Sequence, residues 1–242
     1  VICSSGVGFD PLLDGERLTF GFEGIWQGTA VLYDRKTSSL WMHFTGACFH
    51  GPLAGRRMHA LATGRHTTWA GWKAAHPSTE VMAPDARFQA RYFRRGQSRS
   101  GDAFLPPNFT ATIQTRDTRL DLADLLLGVR VGAGTRAYPL KQLAAGTGVV
   151  AETLGDVPLT VWFDTGERSA AAFDARLDGA TLAFERAGPG RFRDRASGSE
   201  FDLEGRAQTG PLRDRRLTRP EALLTEWYGW FAHHPETTIW AP

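Results

Sequence analysis

The sequence predicts an α+β, mainly β fold built as two pseudo-repeated β-rich lobes, each with a short tryptophan-containing helix near its end. Three observations lead there. Apolar residues alternate over short runs between Gly, Pro and Asp turns, which is the period of half-buried strands. Eight tryptophans and fifteen phenylalanines supply the bulky side chains that sheets pack well. A series of short motifs from the first half returns in the same order in the second.

In chain order, Val1–Cys3 enters as a strand, so the chain reads as a fragment or a processed form. Leu13-Asp14-Gly15 is a turn, and Leu18, Phe20 and Phe22 alternate behind it as a half-buried strand. Thr29–Tyr33 is the next strand, closed by Asp34-Arg35 and a polar turn through Ser39. Leu40–Phe44 and Ala47–His50 form a hairpin around Thr45-Gly46, and Gly51-Pro52 stops its second arm. Thr67 or Thr68 caps a helix carrying Trp69 and Trp72, which His76-Pro77 ends. Val129 and Val131 lead into a hairpin turn at Gly132–Gly134. Tyr138-Pro139 opens a helix over Leu140–Ala145, and Gly155-Asp156 turns between strands Gly148–Ala151 and Leu159–Phe163.

The repeats set the domain organisation. Phe9-Asp10, Leu13-Asp14-Gly15, Leu18 and Phe20 return as Phe173-Asp174, Leu177-Asp178-Gly179, Leu182 and Phe184. Asp34-Arg35 returns as Asp194-Arg195, and Gly51-Pro52-Leu53 as Gly210-Pro211-Leu212. Thr67, Trp69, Trp72, His76-Pro77 and Thr79 return as Thr225, Trp227, Trp230, His234-Pro235 and Thr237. A period this long marks a duplicated unit of domain size, not a solenoid. The expected division is a first lobe over 1–99, a linker over 100–119 and a second lobe over 120–242.

Composition narrows the partners. The 242 residues suffice for one large domain or two small ones. A net charge of +2 gives no field to steer nucleic acid. No apolar run approaches the ~20 residues of a membrane-spanning helix. The expected partner is a small ligand or a metal ion. Two cysteines make no disulfide framework. Arg87, Arg91, Arg94, Arg95 and Arg99 form a basic stretch that fits either a phosphate or acidic-partner patch or a solvated linker face.

Features in only one copy are candidates for specialisation, and they gather in Trp41–Leu53. His43 faces Leu203 in the repeat, His50 faces Thr209, and Cys3 faces Glu167. With Thr45-Gly46 as a two-residue turn, His43 lies opposite Cys48 and Trp41 opposite His50. Alternation then sets all four on one face. With Cys3, two imidazoles and one or two thiolates suit copper or zinc. Trp41 and Met58 are candidate ligand-binding neighbours. The same side chains also fit a tryptophan-rich core, since unpaired cysteine often behaves as a small buried hydrophobe.

Cys3, Phe9-Asp10, Asp14-Gly15, Leu18–Gly21, Tyr33-Asp34-Arg35, Ser39-Leu40-Trp41, Thr45-Gly46, Gly51–Gly55 and Thr67–Pro77 closely resemble the bacterial family known as domain of unknown function 3179. The segment around Leu127–Val129, Ala137–Leu140 and Val149-Val150 is similar to the part that precedes that block in the family. The resemblance implies export to the periplasm or the medium. It also implies a Cys-x-x-Cys of which Cys3 matches the second cysteine, either a redox couple or a disulfide. Leu32 stands where members often carry methionine, which argues against a family-wide soft-metal site in this chain. The leading expectation is an exported protein holding a metal ion or small ligand on the Cys/His face. The alternatives are a metal- or thiol-dependent oxidoreductase using that face, and a structural or interaction module.

Overall fold

The computed structural model describes residues 4–63, 66–91, 105 and 107–242. It is mainly β, with several small sheets and short helices. In the first half β1 (Val7–Phe9) pairs with β6 (Ala60–Thr63). Strands β2 (Phe20–Trp26), β3 (Thr29–Asp34), β4 (Leu40–Met42) and β5 (Cys48–His50) form an antiparallel sheet in chain order. Helix α1 covers Trp69–Ala75, and a 3-10 turn covers Ala86–Arg91.

In the second half β7 (Leu125–Val131) and β8 (Gly134–Pro139) form the expected hairpin, followed by α2 (Leu140–Ala145). Strands β9 (Val149–Leu154), β10 (Val157–Asp164) and β11 (Ser169–Asp174) make a second antiparallel sheet. A third contains β12 (Phe184–Gly188), β13 (Arg191–Asp194) and β14 (Glu200–Asp202). Strand β15 (Glu221–Glu226) then pairs with β7 and runs directly into α3 (Trp227–His233). The closing β16 (Thr238–Ile239) lies parallel to β8.

Two local expectations are corrected. Leu18, though buried, lies outside β2, and Phe22 faces solvent at 57% exposure, because the cluster that packs Leu18 and Phe20 with Trp41 does not extend to it. The hairpin register also differs: Trp41 pairs with Cys48 and Leu40 with His50. His43 belongs to the turn, which closes with Gly46 N–H donating to the Met42 carbonyl at 2.8 Å. A two-residue I′ turn needs positive φ at both residues. Gly46 has it at +69°, but β-branched Thr45 does not. The chain therefore takes a wider turn. The expected strand at Val1–Cys3 lies outside the described residues, as do Arg94, Arg95 and Arg99 of the basic stretch.

A buried aspartate organises the turn after β3. The Asp34 carboxylate, fully shielded from solvent, accepts hydrogen bonds from the backbone N–H of Lys36 (3.1 Å), Thr37 (2.6 Å) and Ser39 (3.1 Å) and from Trp41 Nε1 (3.0 Å). Asp194, also fully buried, does the same after β13, accepting from Ser197 N–H (2.8 Å) and Ala183 N–H (3.2 Å). Other contacts recur between the halves. Ser39 Oγ accepts from Leu53 N–H at 3.1 Å, and Ser199 Oγ from Leu212 N–H at 3.0 Å. Trp72 Nε1 donates to Thr79 Oγ1 at 2.9 Å, and Trp230 Nε1 to Thr237 Oγ1 at 2.9 Å. Gly51 and Gly210 both hold positive φ, and a Cβ there would lie 2.8 Å and 2.7 Å from the Cα of Ser39 and Ser199.

One core cluster crosses between the halves, packing Phe44 with Leu126, Leu223, Trp227, Tyr228 and Trp230. Helix α3 is its centre. Trp230 sits so close over Gly128 that a Cβ on β7 has no room, and a Cβ at Gly28 would lie 2.6 Å from the Tyr228 ring.

Burial works to raise the Asp34 pKa, but the N–H and hydroxyl donors of Trp41, Thr37 and Ser39 outweigh it and hold the carboxyl below its usual value. Its contribution to stability is therefore fully present above pH 3.8 and is lost as pH falls through the lower folded value. Replacing it by Asn should cost about 2–4 kcal/mol at neutral pH and flatten the acid limb of the stability curve. Urea unfolding of both proteins from neutral to acid pH measures this; superimposable curves would contradict it.

Candidate functional site

The two halves line a half-open cavity of about 780 Å³. Phe9, Phe44 and Met58 line it from the first half, and Leu127, Leu224 and Trp230 from the second. Three consecutive alanines on β11, Ala170–Ala172, also line it. Side chains this small beside large aromatics leave space where a Leu or Phe would close it. The volume falls within the roughly 300–1,000 Å³ of small-molecule sites.

The polar part of the lining is cationic. Arg57, Arg130, Arg216 and Arg219 contribute to it against the single carboxylate of Glu221. Arg130 and Glu221 are direct cross-strand partners on β7 and β15, and Arg130 Nε donates to the Glu221 carboxylate at 3.0 Å. Arg57 reaches the other oxygen of Glu221 at 3.8 Å, an ion pair that bridges the halves. Arg57 and Arg216 enter the lining in the same way. Each sits on an isolated antiparallel bridge, Ala47 with Arg57 and Arg206 with Arg216.

His234, just past α3, also lines the cavity, with its ring 4.0 Å from that of Trp230. Burial, reinforced by Arg130 and Arg57 and opposed by Glu221, pushes its pKa down to about 4. His233 is likewise pushed down to about 4, by burial first and then by His234 and His43. Its ring stacks on Phe44 at 4.7 Å, and Nε2 lies 3.2 Å from Thr29 Oγ1. Both imidazoles are neutral at physiological pH, and the permanent positive charges of the lining are its arginines.

The residues singled out from the sequence sit elsewhere or serve the core. Trp41 is fully buried, with its indole N–H on Asp34. Cys48 is buried in one cluster with Leu18, Trp41 and Met58, and its thiol donates to the His50 carbonyl at 3.4 Å. Burial pushes that thiol up, so it stays protonated at neutral pH. His43 engages Ala30 through Nδ1 at 3.1 Å, and Nε2 lies 3.2 Å from Ser5 Oγ. Burial lowers its pKa, against the opposing hydrogen bond to Ala30. His50 is exposed. Among the described residues no three His, Cys, Asp or Glu side chains converge as a metal-binding group, and Cys3 lies outside them. Of the expected residues that are described, Met58 alone lines the cavity.

Sequence reasoning passed over the arginines. Arg56-Arg57 and Arg215-Arg216 follow Gly-Pro-Leu in both copies, so comparing the copies does not mark them as specialised. Half of each pair is scaffold: Arg56 pairs with Asp14 and Arg215 with Asp178 at the Leu-Asp-Gly turns. The other half lines the cavity. A doubled arginine beside a single turn aspartate was the available signal.

The family model of proteins of unknown function DUF3179 matches residues 1–237, and the chain belongs to that family. No curated protein and no solved structure matches it. Among the described residues no helix is long and apolar enough to cross a membrane.

Proposed function

We propose that this chain is an exported binding protein that takes a small organic ligand in the cavity between its halves. The cavity itself is the observation that carries the reading. It combines an apolar lining with a few convergent polar groups, drawn from strands, a helix and the turns and isolated bridges between them. The reading includes an origin by duplication of one unit. The paired Asp34/Asp194, Ser39/Ser199 and Trp72/Trp230 hydrogen bonds support that origin. Doubling explains why equivalent arginines, Arg57 and Arg216, line one cavity.

Thermal unfolding against a chemically diverse panel of small molecules tests the ligand reading. At a hundredfold excess over Kd a ligand adds about 2.7 kcal/mol of stability. Ala222→Trp, which fills the cavity from half-buried β15, should remove that gain. A panel in which no compound raises the melting temperature would overturn the reading.

A further inference from the structure

We propose that the ligand is a small amphipathic anion, a carboxylate or phosphate head on an apolar body, with the head received at Arg216 and the body against the apolar lining. The inference rests on the cavity being a ligand site and names what that site selects.

The charges of the lining are unequal. Glu221 is committed to Arg130 and Arg57, and one carboxylate balances only one guanidinium. Arg219 is held in place, its Nη2 donating to the Leu203 carbonyl at 3.1 Å and its guanidinium 5.2 Å above the Phe173 ring. Arg216 pairs with no carboxylate among the described residues, although its backbone is fixed by the bridge to Arg206. A planar guanidinium fork set beside a partly enclosed apolar space matches carboxylate and phosphate oxygens. A cationic ligand meets the same field with the opposite sign.

The apolar side of the lining sets the other half of the selection. Phe9, Leu127, Leu224 and Ala172 offer a body no hydrogen-bond partner, so they favour hydrocarbon over a polyhydroxylated skeleton. The site therefore discriminates twice, by head charge and by body polarity.

Calorimetric titration of the whole chain with octanoate, octyl phosphate, octanol and octylamine separates the two selections, because the body is constant while the head changes. At least one of the two anions should bind, octanol at least about tenfold more weakly, and octylamine more weakly still. Arg216→Ala and Arg216→Glu should each weaken the anion at least about tenfold, the charge reversal more. Arg213→Glu, at an exposed arginine outside the cavity, should leave binding unchanged. If octanol or octylamine binds as tightly as the anions, or Arg216→Glu binds them as wild type does, the anion assignment falls while the cavity stands as a ligand site. If none of the four compounds binds, both fall.

Discussion

The packing of α3 between β7 and the first half is the constraint on which the rest of the molecule depends. Trp230 lies over Gly128, where only a residue without a side chain lets helix and strand approach so closely. On the other side the helix meets Phe44, Gly28 and Thr29 through His233, Tyr228 and Trp230. Trp227, Tyr228 and Trp230 are almost wholly buried, and each large side chain so buried contributes about 1.5–3 kcal/mol. That packing fixes β15 and the Phe44 turn relative to each other, and the cavity is what lies between them.

The two halves use the same residues differently. Trp69 and Trp72 of α1 are 55% and 41% exposed, whereas Trp227 and Trp230 of α3 are at 0% and 3%. The difference is a covering sheet: β7 and β15 pack with α3, and α1 buries no residue. His76 and His234 end their helices with the same backbone geometry, but His76 is exposed and His234 faces the cavity. Under the proposed duplication, an interface formed between copies gave shared residues of the second copy a new environment. Comparing the copies by residue identity alone could not reveal this, because the identities had not changed.

Much of the fold was legible because its signals are local. The β7–β8 hairpin, α2, the turn at Gly155-Asp156 and both tryptophan helices follow from Gly, Pro and capping residues next to them in sequence. The β4–β5 register was not legible, since it depends on which φ values Thr45 and Gly46 adopt together. The cavity was least legible of all. Arg57, Arg130, Arg216 and Glu221 come from separate segments that only long-range strand pairing and the α3 packing bring together. By contrast, Cys48 and Trp41 drew notice through their chemistry, and burial turned that chemistry to packing. Rarity of a residue type marked the core, while the commoner arginine marked the opening.

The most direct test of this account is a crystal structure of the chain bound to octanoate or octyl phosphate, whichever binds the more tightly. The account predicts electron density inside the cavity, with the anionic head in hydrogen-bonding distance of Arg216 and the hydrocarbon along Leu127 and Leu224. Density at the surface near His50, or an empty cavity with the anion bound elsewhere, would contradict it.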